Sequence, residues 1–195
     1  MILCDKCGNR YPGYYIINTS NETEGYEQLC FECFNKIMAD QLGIKLIELR
    51  KKSFTMDDID GKKHLFKIIR KVYPQGIILE AIEIQDEQKK GYVIAVDNKI
   101  DCNQQELEIK LYKKVKDELY NQYIESKNAF GDEHLIIKDA KVIGRLDYDE
   151  TTSGRIPLVV IDGQEYTWEQ FGRLLKSYEG WQFKMELFDI TDDIS

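Results

Sequence analysis

The sequence predicts an α+β protein, in which a small N-terminal module precedes an antiparallel-sheet domain with two main helices. Three observations carry that expectation. Of the 5 cysteines, Cys4, Cys7, Cys30 and Cys33 form two CxxC pairs close to the N-terminus. From His64 onward, β-rich runs separated by turn residues (HLFKIIRKVY, IILEAIEI, YVIAVD) read as a meander of three antiparallel strands. Two later stretches open with helix caps, Asn103 followed by Glu106 and Thr167 followed by Gln170.

The cysteine spacing is C-x2-C, a gap of 22 residues, then C-x2-C. No run of 18 apolar residues and no basic-then-apolar leader occurs, so a cytoplasmic protein with no membrane span is expected. Thiols in that compartment stay reduced, and paired CxxC motifs there point to metal rather than disulfides. Gly8 after the first pair suits the tight turn of a zinc knuckle. Cys30 opens an amphipathic run with Phe31, Phe34, Ile37 and Met38 at helical spacing, which puts the second pair in a first helical turn, where free N–H groups stabilise thiolate charge. The alternating Tyr/Ile run and polar turn between the pairs suit a hairpin.

Knuckle, hairpin and helix together make a treble clef over residues 1–44, holding one Zn2+ through Cys4, Cys7, Cys30 and Cys33. An iron–sulfur cluster would use the same four thiolates but is less common in this context, and a redox CxxC expects a βαβ unit. Four cysteine ligands leave no coordination position for water or substrate, so the site is expected to be structural. A segment of about 40 residues buries too little apolar surface to fold alone, and a metal supplies the difference.

The helix is expected to stop near Gly43, and SFTMDDIDGKK (residues 53–63) reads as a connector. The expected domains are therefore the module at 1–44, a basic linker at 45–62 and an α+β domain at 63–195, the last folding without the metal. Beyond the meander, Leu107, Leu111, Val115, Leu119 and Tyr123 form one helical stripe that should cover a sheet face. Candidate strands follow at HLIIK, KVIGRLDYD and IPLVVI, with Asp162-Gly163 as a hairpin turn, and WQFKMELFD closes the chain as a last strand with Trp181 and Phe183 facing inward.

The sequence offers no catalytic residue. His64 and His134 read as structural histidines, and Cys102 lies in a polar connection with no base beside it. Glu87-Gln88-Lys89 matches the E-x-K of some nucleases but sits in a hydrophilic turn. Asp147 and Asp149 suit a divalent ion but equally an acidic surface.

Two resemblances follow from particular residues. The four cysteines, Gly8 and the helix after Cys33 resemble the N-terminal zinc domain of Clp-type unfoldases, a module that binds adaptor proteins, with a somewhat longer spacer here. The VIDG turn, TWEQFG helix start and EGWQFK segment, following Val142 to Leu146, resemble the closing part of a bacterial family of uncharacterised proteins. That likeness implies a bacterial, cytoplasmic origin and no activity.

The leading expectation is a non-enzymatic interaction or regulatory protein that docks a protein partner, or a second copy of itself, through the zinc module. The net charge of −8 makes the chain a poor nonspecific binder of nucleic acid. Residues 45–75 nevertheless carry 9 Lys/Arg against 4 Asp/Glu. A nucleic-acid-binding protein using Lys45, Arg50, Lys51, Lys52, Lys62, Lys63, Lys67, Arg70 and Lys71 beside the zinc module is therefore the rival, and an enzyme with a site in the α+β domain is the third reading.

Overall fold

The computed structural model describes residues 1–21, 25–85, 90–129 and 132–194. It is an α+β fold of antiparallel sheets and three α-helices. The N-terminal module pairs β1 (Ile2–Leu3) with β2 (Arg10–Tyr11), then β3 (Ile16–Asn21) with β4 (Gly25–Cys30), and runs directly from β4 into α1 (Phe31–Leu42). Gly43 ends that helix in a left-handed conformation at φ 65°, as its position in the sequence requires.

The centre of the molecule is a four-stranded antiparallel sheet in chain order, made of β5 (Ser53–Asp57), β6 (Lys63–Tyr73), β7 (Gly76–Ile84) and β8 (Lys90–Asn98). The expected three-strand meander is present, but SFTMD is not a connector. It pairs with residues 63–67 as an edge strand, and Phe54 is buried in the core beneath it. The chain just before it is also fixed. Gln104 accepts from Ile47 N–H (3.0 Å) and donates to the Lys45 carbonyl (3.0 Å), while Glu108 accepts from Arg50 N–H (3.3 Å). A polar pattern read as solvated linker is thus a strap, because its backbone groups find partners on the following helix rather than in water.

That helix, α2 (Gln104–Tyr120), is capped by the Asn103 side chain, which accepts from Gln105 and Glu106 N–H. Leu107, Leu111, Val115 and Leu119 are buried on one stripe against Phe66, Ile68, Ile77, Leu79, Ile94 and Val96. Tyr123 lies beyond the helix end and packs elsewhere. The opposite sheet face is covered by α1. Side chains alternate across a strand, so Ile68 faces α2 while Ile69 and, on β7, Ile82 pack with Phe31, Phe34, Leu29 and Tyr15 of the module. The sheet is the middle of three layers.

Beyond residue 67 strand β6 extends past the ladder it makes with β5, and an amide side chain takes over: Asn35 of α1 donates to the Arg70 carbonyl (2.7 Å) and accepts from Val72 N–H (2.9 Å). Asn35 → Ala should remove both bonds from a buried position and cost about 1–3 kcal/mol, measured by denaturant titration. A shift no larger than that of an exposed-site control would mean water replaces the amide there.

The remaining elements form a third cluster. Strands β9 (Ile124–Ala129) and β10 (Asp132–Ile137) make a ribbon. Strands β11 (Arg145–Asp147), β12 (Leu158–Ile161) and β13 (Gln164–Tyr166) make a small sheet, followed by α3 (Trp168–Leu175) with the expected Thr167/Gln170 capping box. The Asp162-Gly163 turn joins β12 to β13 with both residues at positive φ (51° and 70°). Ile137, Val159, Ile161, Phe171 and Leu174 are the buried centre. Two expectations fail here. KVIGRLDYD is a strand only over Arg145–Asp147, and WQFKMELFD forms no strand, leaving Trp181 and Phe183 exposed. No described helix is long and apolar enough to cross a membrane.

Candidate metal centre

The four predicted cysteines converge. Cys4 and Cys7 flank a turn in which Gly8 N–H donates to the Cys4 carbonyl (2.9 Å) and Gly8 takes φ 71°, a value that favours a residue without a Cβ. Cys30 is the last residue of β4 and the N-cap of α1, its sulfur accepting from Cys33 N–H (3.5 Å). Cys30 N–H in turn donates to Cys4 Sγ (3.3 Å), which stitches the knuckle to the helix start. Two strand ends and one helical turn therefore aim their sulfurs at one point.

The spacing fits a tetrahedral zinc. Sulfurs about 2.3 Å from such an ion stand about 3.8 Å apart. Cys7 Sγ and Cys30 Sγ are 3.9 Å apart, and all four ligand atoms lie within 4.8 Å of one another. Electrostatics agree. Burial opposes ionisation of Cys4, but N–H groups of Cys30, Cys7 and Lys6 point at its sulfur and hold its pKa down to about 6. Burial pushes the thiols of Cys30 and Cys33 up, and for Cys33 the crowding of Cys30, Cys4 and Cys7 adds to it. Cys4 is ready to ionise while Cys30 and Cys33 resist, so four thiolates at this spacing call for a divalent cation. Four sulfurs complete a tetrahedral set, the Tyr11 hydroxyl standing 3.9 Å from Cys7 Sγ beside them, and the set suits structural binding.

Protein purified without added metal should contain one zinc per chain by elemental analysis, falling to zero in a Cys4 → Ser/Cys33 → Ser variant. Iron with visible charge-transfer absorption would overturn the zinc assignment.

The other residues singled out by sequence are placed as follows. His64 is buried between two carboxylates, with Nδ1 2.6 Å from Glu83 and Nε2 2.9 Å from Asp58. Neither ring nitrogen is left to take a proton from a substrate. His134 is exposed on β10. Cys102 packs at the edge of the central core, where burial pushes its thiol up and keeps it protonated. Asp147 pairs with Arg145 (3.0 Å), and Asp149 accepts from the Thr151 hydroxyl (2.6 Å) and N–H (2.8 Å), which holds its carboxyl below the usual range. These two carboxylates have partners of their own. Glu87-Gln88-Lys89 lies outside the described residues.

The basic stretch makes several contacts within the chain, those of Lys52 and Lys63 at the exposed surface. Lys52 pairs with Glu32 (3.1 Å), Lys63 with Asp57 (2.9 Å) and Lys71 with Glu80, and Arg70 donates to the Ile47 carbonyl (2.6 Å). Lys67 stands 4.1 Å from the centre of the Tyr15 ring and Lys71 5.1 Å from that of Phe31, across the seam between module and sheet. Sequence reasoning missed these roles because a charge run carries no sign of which aromatic ring it will cover.

Three family models match the chain, each described as a domain of unknown function: DUF7685 over residues 3–45, DUF7686 over 47–120 and DUF7713 over 123–192. The chain is similar to each over that segment. The matched segments follow the three apolar clusters, except that the first cluster takes Ile69 and Ile82 from the second segment. No curated protein and no solved structure matches the chain.

Proposed function

We propose that this is a non-enzymatic interaction protein of bacterial, cytoplasmic type, in which a structural zinc organises a treble-clef module that docks a protein partner. The observation that carries the reading is the closed four-sulfur set, which can fix a shape but has no open position for catalysis. The partner surface must be the outer side of the module, because the inner face of α1 is already buried against Ile69 and Ile82 of the sheet. Met1, Leu3 and Tyr26 are exposed apolar side chains of that module. The resemblance in form to the adaptor-binding zinc domain of Clp-type unfoldases supports the same assignment. The basic segment supports nucleic-acid binding less, since Lys52, Lys63, Lys67, Arg70 and Lys71 have partners inside the molecule.

The test is capture from the native host with wild type and with Leu3 → Glu/Tyr26 → Glu, a variant that leaves all four cysteines and the buried face in place. A defined protein retained by wild type and lost by the zinc-loaded variant is the expected result. An unchanged set of captured proteins would overturn docking through the module, and salt-sensitive retention of nucleic acid would favour the rival.

A further inference from the structure

The segment expected to be the last strand has no strand partner among the described residues. Residues 182–188 make no backbone hydrogen bond among the described residues, and they set Phe183 (89% exposed), Met185 (62%) and Leu187 (77%) at alternate positions, in phase with Trp181 (67%) just before them. The segment is not a loose tail. Upstream, Tyr178 donates its hydroxyl to the Ile137 carbonyl (2.8 Å) and its ring meets Trp181 edge-on. Downstream, Lys114 of α2 donates to the carbonyl of Asp192 (2.6 Å), with those of Thr191 and Ile190 at 3.3 and 3.4 Å. A strand's worth of donors, acceptors and apolar side chains is held open between two anchors. Such an edge is a template for pairing with another extended chain.

We propose that this edge pairs with the same segment of a second copy, antiparallel about a two-fold axis through Met185. The charge pattern selects both the partner and the register. In a two-fold antiparallel ribbon, residues whose numbers have a fixed sum face each other on the same side. Centred on Met185, Phe183 faces Leu187 and Met185 faces its own copy, while Lys184 faces Glu186 of the second chain twice over. Centring the axis on Lys184 or Glu186 sets like charges against each other at that residue. A one-residue slip sets charged side chains against apolar ones. Within one chain Lys184 and Glu186 already lie on one side, bonded at 2.6 Å and otherwise largely exposed, so pairing needs only an exchange of partners. The apolar side of the ribbon then has Met185 at its centre with Phe183 and Leu187 on either side, and Trp181 faces Asp189 at each end. This inference does not rest on the zinc module.

The test uses the full chain and sedimentation at graded concentration. Wild type should be a dimer. Lys184 → Glu sets Glu against Glu at both pairs and Glu186 → Lys sets Lys against Lys, so each variant should associate about tenfold more weakly or worse. An equimolar mixture of the two variants should recover the dimer as a heterodimer, and the double exchange Lys184 → Glu/Glu186 → Lys should recover it alone. Both substitution sites are solvent-facing, and unchanged melts confirm the fold. A monomeric wild type at high concentration overturns the proposal. So does a dimer indifferent to the exchanges, or a segment that pairs only with a foreign extended peptide.

Discussion

Removing the metal is expected to loosen the whole central sheet and not only the first 44 residues. Chelation, or Cys4 → Ser, loosens the knuckle from the start of α1, since chelation removes the common centre of the four ligands and the substitution also removes the sulfur that accepts from Cys30 N–H. The helix that depends on that joint covers Ile69 and Ile82, both almost fully buried. Exposing two such side chains costs about 3–6 kcal/mol at 1.5–3 each, before counting the Asn35 bonds that complete the edge of β6. The expected result is a large drop in the melting temperature of the sheet, read by hydrogen exchange at Ile68–Val72 amides as well as by circular dichroism. The sequence suggested the opposite, that residues 63–195 would melt independently of zinc. If chelation unfolds residues 1–44 while exchange in β6 stays unchanged, the layers are independent and the sequence-based expectation stands.

The metal ligands were legible because their signal is local: four identical residues at fixed spacing, with Gly8 and a helix start in the right places. The same holds for caps and turns, where Asn103, Thr167 with Gln170, and Asp162-Gly163 each specify geometry within four residues. What the sequence concealed is relational. Alternation showed that β6 had two apolar faces, but nothing local says that Ile69 meets Phe34 rather than solvent or another chain. SFTMD looked like a connector because its polar residues face water and only Phe54 and the half-buried Met56 turn inward, which is how a short edge strand reads. WQFKMELFD looked like a buried strand for the converse reason. Its alternation is real, but the described residues supply no strand neighbour for it, so the periodicity alone did not say what the segment would pack against.

Replacing His64 is the second change with a large expected effect. Its ring has a carboxylate oxygen within hydrogen-bond distance of each nitrogen, Glu83 at Nδ1 and Asp58 at Nε2. The surroundings are built for those anions. Glu83 also accepts from Tyr92 N–H (3.0 Å) and Gln85 Nε2 (3.0 Å), and it occupies the space that a Cβ on Gly91 would need. Asp58 accepts from the N–H groups of Asp60 and Lys62 (both 2.9 Å). His64 → Leu keeps most of the volume but strands two carboxylates, Glu83 among the most buried charged groups of the chain. Breaking a buried pair from one side costs about 3–5 kcal/mol, which chemical denaturation at neutral pH should read directly. The pH dependence gives an independent check. Burial raises the Asp58 carboxyl, but the His64 hydrogen bond and the Lys62 and Asp60 amides outweigh it and hold it below the usual value. A carboxylate depressed in the folded state contributes stability above its unfolded pKa of about 3.9, and loses it as pH falls through the lower folded value. Wild type should therefore lose stability on that acid limb more steeply than His64 → Leu, in which Asp58 has lost its strongest partner, and the gap between the two proteins should narrow as the pH drops below about 4. A gap that is constant across the acid range would mean that His64 acts through packing alone, against Phe66 and Tyr92, and not as the hydrogen-bond partner of Asp58.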